Sequence, residues 1–241
     1  MNKENTLFIT GAGISAESGI PTFRGEDGFW TIGSRNYTPM EMATRHMYQQ
    51  QPEQFLAWYY NRFITYRHHA ENDVHRWLAD KNLITQNIDG LDGKAGNKNY
   101  IAIHGRIDKM TLYHTQGEPV EVIDAPWDQV DDQRLNQSLM HLFNIKNTPT
   151  LNESYKPFVL LFDEYYTDLY RIDEALSRME QADKMVFMGT SFSVNITNMA
   201  MDIAMRNEIP VEVVDPDPVI LPYAKVKYHK MRATDYIQHH D

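Results

Sequence analysis

The chain has 241 residues, of which 42% are hydrophobic and 23% charged, and these fractions exclude a disordered chain and a coiled coil. Its net charge of −10 repels phosphate backbones and anionic lipids, so we expect neither a nucleic-acid nor a membrane partner. The chain contains no cysteine, which excludes disulfides, thiolate nucleophiles, iron–sulfur clusters and cysteine-ligated zinc. Met1 to Thr10 lacks a basic segment followed by an apolar signal core, and no apolar run is long enough for a membrane span, so we expect a cytoplasmic protein.

Short apolar runs that end in polar or glycine residues predict the strands of a parallel sheet. These runs are Thr6 to Thr10, Leu83 to Thr85, Tyr100 to Ile103, Phe158 to Phe162, Lys184 to Met188 and Val211 to Val214. The helices predicted between them are Pro52 to His69, Asp73 to Lys81, Gln129 to Phe143, Asp168 to Gln181 and Asn195 to Asn207. Continuously apolar strands that alternate with helices are typical of a sheet covered on both faces. The sequence therefore predicts an α/β fold with a doubly wound parallel sheet.

Two stretches interrupt this alternation, Gly25 to His69 and Arg106 to Lys156, and they predict a second, smaller domain. We place the larger domain at residues 1–30, 72–106 and 157–241, and the smaller one at 31–71 and 107–156. The alternative is a pair of surface excursions on one domain, and composition does not decide between the two.

The turn after the first strand carries glycines at positions 11 and 13, which let a backbone approach a pyrophosphate at a helix N-terminus. An ordinary tight turn would use the same residues. The surrounding block GAGISAESGIPTFRG (residues 11–25), however, closely resembles the opening signature of the sirtuins, NAD-dependent protein-lysine deacylases. The segments TQNIDGL (85–91), HG (104–105), KPFVLLFDE (156–164) and GTS (189–191) are similar to later motifs of that family, in the same order.

The resemblance covers essentially the whole chain and implies a Rossmann-like domain, a small domain, and a cleft that NAD and an acylated lysine enter from opposite sides. His104 would be the general base, and Asn87 and Asp89 would bound the nicotinamide and its ribose. The residues that would bind the cofactor are Gly11, Ala12, Gly13, Ser15, Phe23, Arg24, Gln86, Gly189, Thr190, Ser191 and Asp215. Those in the strand that would bind the substrate are Leu160, Phe162 and Glu164.

The chemistry of these residue types agrees with the implied roles. Cleavage of the nicotinamide–ribose bond develops positive charge at the sugar, which amide and carboxylate groups such as Asn87 and Asp89 can stabilise. Imidazole is a suitable base near neutral pH, whereas His75 lies in a helical pattern and is expected to pack or cap. In the family reaction the products are free lysine, nicotinamide and O-acyl-ADP-ribose. ADP-ribosyl transfer and plain NAD hydrolysis are the alternatives, because they need the same cofactor pocket; an NAD-sensing module without catalysis would not need the base.

Tyr59 and Arg62 lie three residues apart in a predicted helix, so both can point to one side. The pair resembles the one by which a sirtuin subclass holds the carboxylate of succinyl- or malonyl-lysine, and guanidinium and phenol groups suit a carboxylate. The alternative is an aromatic helix that packs on the small domain with Arg62 solvated.

The chain departs from the family pattern in the small domain, where most sirtuins hold a structural zinc with four cysteines. His114, His141, Asp124, Asp128 and Asp131 lie in the equivalent stretch, but their spacing fits no tetrahedral site. We therefore predict no structural metal, and we expect three leucines of the helix predicted there to pack in its place. These are Leu135, Leu139 and Leu142.

Three further positions differ from the family pattern. Asp163 stands where glycine is usual, and Ile196 stands where proline is common. Asp215 replaces an asparagine that meets the adenosine ribose; a carboxylate there would favour NAD over NADP. The alternative for Asp215 is a cap on the turn at Pro216 and Asp217. The sequence predicts no oligomeric state.

Overall fold

The structure is a computed structural model, and it describes residues 4–22 and 37–240. The strands of this part of the chain are β1 (Thr6–Thr10), β2 (Asn82–Thr85), β3 (Ile101–Ala102), β4 (Gly105–Leu112), β5 (Val122–Asp124), β6 (Tyr155–Val159), β7 (Lys184–Met188), β8 (Val211–Val214) and β9 (Val226–His229). The α-helices are α1 (Pro39–Met42), α2 (Arg45–Gln50), α3 (Pro52–Tyr66), α4 (Asp73–Trp77), α5 (Leu91–Lys94), α6 (Leu135–Leu142), α7 (Ile172–Glu180), α8 (Asn195–Arg206) and α9 (Ala233–Ile237). No helix in these ranges is long and apolar enough to cross a membrane.

Six strands form one parallel sheet in the order β3-β2-β1-β7-β8-β9. Alternate residues of β1 enter different cores: Leu7 and Ile9 pack with one apolar cluster, and Phe8 packs with another. The sheet is therefore covered on both faces, as its continuously apolar strands predict. The predicted α/β doubly wound fold is confirmed, and its strand order is that of the Rossmann fold.

One predicted strand was assigned to the wrong sheet. The apolar run from Phe158 to Phe162 does not join the parallel sheet; β6 ends at Val159 and pairs antiparallel with β4. With β5 these two strands form a separate three-stranded sheet in the order β5-β4-β6. The sixth parallel strand is instead β9. The sequence did not predict this strand, because its segment VKYH is short and lies half-exposed at the edge of the sheet.

Strand β4 was also missed, because only part of it is apolar. Ile107 and Met110 face a core, while Arg106 and Asp108 pair with each other in a half-exposed position. An antiparallel strand with one solvated face has a mixed polar and apolar sequence. For this reason β4 was expected to belong to an insertion. The division into two domains at the predicted boundaries stays a prediction.

The core beside the three-stranded sheet centres on Trp127, whose indole N–H donates to the carbonyl of Ile107 over 2.7 Å. Its ring lies 4.9 Å from that of Phe143 and 5.9 Å from that of Phe63, measured between centroids. Leu139 is fully buried in this core, and the other two predicted leucines, Leu135 and Leu142, pack against it partly buried.

The helix predicted from Gln129 to Phe143 is shorter than expected. The chain forms two 3-10 turns, Trp127–Gln129 and Asp132–Arg134, before α6 begins at Leu135. Within the described residues, no group of three or more His, Asp or Glu side chains could hold a metal ion. An aromatic and leucine core thus occupies the stretch in which we expected packing without a metal.

We predict that Trp127→Ala lowers the free energy of unfolding by about 3–5 kcal/mol, because it opens a large cavity and breaks a buried hydrogen bond. Urea denaturation of the two proteins measures the difference. Leu151→Ala, at a site 47% exposed, is the control and should change stability by about 0.5 kcal/mol or less. Equal stability of the two variants would contradict this account of the core.

Candidate active site

The predicted motif residues meet where the parallel strands end. The turn after β1 packs directly on Gly189, which follows β7: the N–H of Gly13 donates to the carbonyl of Gly189 over 2.9 Å, and that of Gly11 to Met188 over 3.0 Å. A Cβ atom on Gly13 would lie 2.6 Å from the Cα of Gly189, so no larger residue fits. The chain continues from β1 to β2 on one side and returns through β7 on the other, so this contact marks the switch point of the sheet.

Ser15, Asn87 and Asp89 lie together beneath this turn. The Ser15 hydroxyl is buried and donates to Oδ2 of Asp89 over 2.8 Å. The Asn87 amide donates to Oγ of Ser15 over 3.2 Å and to the carbonyl of Gly11 over 3.1 Å. Three residues that the motifs predicted for the site are thus one hydrogen-bonded group.

His75 belongs to the same hydrogen-bonded group. The sequence did not predict this membership. Its ring is fully buried, with Nε2 3.4 Å from Oγ of Ser15 and Nδ1 3.0 Å from Oδ1 of Asn72. The expected capping role is present, because Asn72 caps α4 three residues before His75. Burial lowers the pKa of His75. The contact with Ser15 could not be predicted from the sequence, since the two residues come from different elements.

The remaining predicted cofactor residues line the neighbouring strand ends. The side-chain amide of Gln86 donates to the carbonyl of Thr10 over 3.0 Å and to the hydroxyl of Thr190 over 3.1 Å. Ser191 lies beyond Thr190, with its hydroxyl 2.7 Å from that of Ser193. Ala12 begins a 3-10 helix, Ala12–Ser18, that directly follows Gly11. Phe23 and Arg24 lie outside the described residues.

Asp215 follows β8 at the same edge of the sheet. Its Oδ1 accepts a hydrogen bond from the N–H of Asp217 over 2.9 Å, so it caps the turn as the alternative interpretation expected. The proposed contact with a ribose stays a prediction.

His104 lies between β3 and β4, half-buried. Nδ1 is 3.0 Å from the carbonyl oxygen of Gln86, and Nε2 is 2.9 Å from the hydroxyl of Tyr166, whose ring stacks on it with the centroids 5.9 Å apart. Burial lowers the pKa of His104 to about 4, although the hydrogen bond to Gln86 opposes the shift. The imidazole is therefore neutral at neutral pH, the form that a base requires.

The predicted substrate strand adjoins this base through Leu160, whose N–H donates to the carbonyl of His104 over 3.0 Å. Phe162 is 42% exposed and can meet a ligand. Asp163 is exposed, and its carboxylate accepts from the N–H groups of Arg45 and His46 at the start of α2.

Glu164, which the motif predicts to bind substrate, belongs to a buried ion-pair cluster. Its side chain is 3% exposed and pairs with the buried ammonium of Lys156 at 3.3 Å and with Arg45 at 2.9 Å. Burial disfavours its charge, but the Lys156 ammonium, the N–H of Leu161 and the Arg45 guanidinium together hold the pKa of the carboxyl below its usual range. Glu164 therefore joins α2 to the segment after β6, and its role in substrate binding stays a prediction.

Tyr59 and Arg62 both point inward from α3. Tyr59 is fully buried, and its ring lies 4.9 Å from those of Phe55 and Trp58. The Arg62 guanidinium lies 3.3 Å above the Trp58 ring, and its Nη1 donates to the Trp58 carbonyl over 3.0 Å. Burial lowers the pKa of Arg62 to about 9. The alternative with a solvated Arg62 is wrong, because this side chain is buried.

Comparisons with known proteins identify the family of the chain. The family model described as the Sir2 family matches residues 11–196. The chain is 30% identical over 238 residues to NAD-dependent protein deacylase 1 of Caldanaerobacter subterraneus, covering 96% of this chain and 90% of that protein. It is 32% identical over 216 residues to the NAD-dependent protein deacylase of Leptospira interrogans serovar copenhageni, covering 87% and 80%. The solved complex of a Sir2 homologue with NAD has a TM-score of 0.73 and 26% identity, over 98% of this chain and 88% of that one.

The chain therefore belongs to the Sir2 family, and the assignment made from its motifs is confirmed.

We predict that Glu164→Gln lowers the free energy of unfolding by about 3–5 kcal/mol at pH 7, because it leaves the Lys156 charge buried without its partner. Since the folded-state pKa of Glu164 is lowered, its contribution is present above the unfolded value of about 4.3 and is lost as the pH falls further. Chemical denaturation at pH 7 and below pH 4 measures both effects.

The matched control is Glu153→Gln, a change at an exposed glutamate that should leave stability within about 0.5 kcal/mol. Unchanged stability of Glu164→Gln together with a raised KM for peptide would assign Glu164 to substrate binding.

Proposed function

We propose that this chain is an NAD-dependent protein-lysine deacylase that prefers acyl groups ending in a carboxylate. Membership of the Sir2 family and the names of the relatives support NAD-dependent protein deacylation. The preference for acidic acyl groups is supported by the burial of Tyr59 and Arg62 on α3.

The residues at the switch point fit NAD. The turn at Gly11 and Gly13 has no side chain between its backbone and the neighbouring strand end, as the close contact with Gly189 requires, and a 3-10 helix begins there. The start of a helix at such a position suits a pyrophosphate. When bound, NAD supplies the ADP-ribosyl group that accepts the acyl group.

Asn87, Asp89 and His104 perform the chemistry that the chain itself contributes. The Asp89 carboxylate is positioned by Ser15 and by the N–H of Leu91, so it can stabilise positive charge without rearranging. The neutral ring of His104 can accept a proton from a substrate hydroxyl at Nε2.

The environment of Tyr59 and Arg62 suits a carboxylate ligand. A buried guanidinium is costly, and its lowered pKa reports that its surroundings disfavour the charge. Within the described residues the buried hydroxyl of Tyr59 has no hydrogen-bond partner. An acyl carboxylate would accept hydrogen bonds from the Arg62 guanidinium and from the Tyr59 hydroxyl.

Tyr59 shares a core with Leu161, and the preceding residue, Leu160, donates to the carbonyl of His104 over 3.0 Å. An acyl chain that extends from the base towards Tyr59 would therefore have its far end near Arg62.

The test is to incubate the protein with NAD and matched acetyl-lysine, succinyl-lysine and unmodified lysine peptides, following peptide mass and nicotinamide. We expect nicotinamide release that depends on the acyl peptide, with succinyl removed faster than acetyl and with no turnover by His104→Ala. Nicotinamide release that is indifferent to peptide would favour NAD hydrolysis or ADP-ribosyl transfer instead.

We predict that Arg62→Ala lowers kcat/KM for the succinyl peptide about 10- to 100-fold and changes that for the acetyl peptide little, because a charge-assisted hydrogen bond is lost. Tyr59→Phe should have a smaller effect in the same direction. Arg67→Ala is the control, since Arg67 at the end of the same helix pairs with Asp128 on the surface. Equal losses for both peptides would contradict recognition of the acyl carboxylate.

A further inference from the structure

The ring of His104 is held by two groups whose hydrogen-bonding capacities fix its protonation. The Gln86 carbonyl, 3.0 Å from Nδ1, can only accept, so Nδ1 carries the proton of the neutral ring. Nε2 then presents its lone pair, and the Tyr166 hydroxyl 2.9 Å away must donate to it. The one basic position of His104 is thus covered by a phenol that no motif indicated.

Tyr166 is itself fixed from two sides. It belongs to the segment between β6 and α7, and its ring packs against the core on one face of the parallel sheet. The backbone amide of Ile196, in the first turn of α8, faces its hydroxyl. Burial raises the pKa of Tyr166 to about 12, so it remains a hydrogen-bond donor throughout the neutral range.

Charged side chains do not complicate this arrangement. Among the described residues, the groups that make hydrogen bonds to the His104 ring are the Gln86 carbonyl, from the loop after β2, and the Tyr166 phenol. The shift of the His104 pKa arises from burial and from Gln86, without a contribution from a charged side chain of that part of the structure. The contact with Tyr166 is therefore the one that a single conservative substitution can remove.

We propose that Tyr166 is a positioning residue for His104, which fixes the ring with its proton on Nδ1 and covers Nε2 until a substrate hydroxyl displaces the phenol. The proposal rests on the proposed function, because that function makes His104 the base. A substrate hydroxyl can reach Nε2 only by replacing the hydrogen bond from Tyr166, since one lone pair accepts one such bond. The base is thus kept neutral and oriented in the free protein and is uncovered by the substrate that needs it.

The test is Tyr166→Phe, which keeps the stacked ring and removes the hydroxyl. In the ligand-free protein, ¹⁵N NMR of the histidines, with His104 assigned from His104→Ala, reports both tautomer and titration midpoint. A hydrogen bond to the lone pair favours the neutral ring, so its loss should raise the midpoint of His104 by about half to one pH unit and increase the Nε2–H tautomer. An unchanged midpoint and tautomer would overturn the proposal.

Tyr165→Phe is the matched control, because the neighbouring Tyr165 is exposed and donates to the carbonyl of Gln116. It should leave the His104 midpoint unchanged; an equal shift in both variants would overturn the assignment to Tyr166. Tyr166→Leu, checked like the others by its thermal unfolding, gives a second removal of the hydroxyl and should move the midpoint in the same direction.

The kinetics supply a second readout. The acid limb of kcat/KM for Tyr166→Phe should move upwards by the same half to one unit, and the value on the plateau should change by less than tenfold. A loss of tenfold or more that Tyr165→Phe does not share would make the phenol part of the proton path and overturn the covering role. An inactive wild-type protein would contradict the proposed function alone, since the NMR titration needs no substrate.

Discussion

The contact between Gly13 and Gly189 is the constraint on which the site depends. It brings the turn after β1 against the end of β7, closer than any side chain would permit. Because the two strands flank the switch point, this approach fixes where the 3-10 helix begins and hence where Ser15 lies. Ser15 then joins His75 from α4 to Asp89 from the loop after β2, so three separate segments of the chain are held by one hydroxyl.

The part of the chain beside the three-stranded sheet is stabilised by two different kinds of contact. Trp127 supplies apolar area and closes one hydrogen bond to β4. Lys156 and Glu164 form a fully desolvated ion pair, which contributes less net stability than its geometry suggests but makes the loss of either partner costly. Such a pair ties α2 and β6 into one arrangement, because Arg45 at the start of α2 shares the Glu164 carboxylate.

The sequence predicted the parallel sheet well because each of its central strands is apolar throughout, whichever face a residue occupies. It failed for β4, whose side chains alternate between a core and solvent, and for β6, whose apolar run gives no indication of which sheet it joins. The motifs predicted Ser15, Asn87, Asp89 and His104 because each of these residues lies within a short motif of the sequence. They could not indicate Tyr166, which lies 62 residues from His104 along the chain and meets it only in the folded protein.

The motif that predicts Glu164 for substrate binding did not indicate its buried ion pair with Lys156. A sequence motif marks a position in the chain but does not report which way a side chain turns. Among the predicted substrate residues, the direction was evident only for the pair on α3, where helical spacing puts Tyr59 and Arg62 on one side.

The two buried cations of this region illustrate different uses of the same costly feature. Lys156 lies against a carboxylate of its own chain, so its charge is compensated in the free protein and serves the fold. Arg62 lies against the ring and carbonyl of Trp58, and burial lowers its pKa. A guanidinium can pair with a carboxylate through two hydrogen bonds, which a neutral acyl group does not offer. Burial likewise lowers the pKa of His104 and keeps its ring neutral. In both places burial disfavours a charge where the proposed reaction would bring its own polar group.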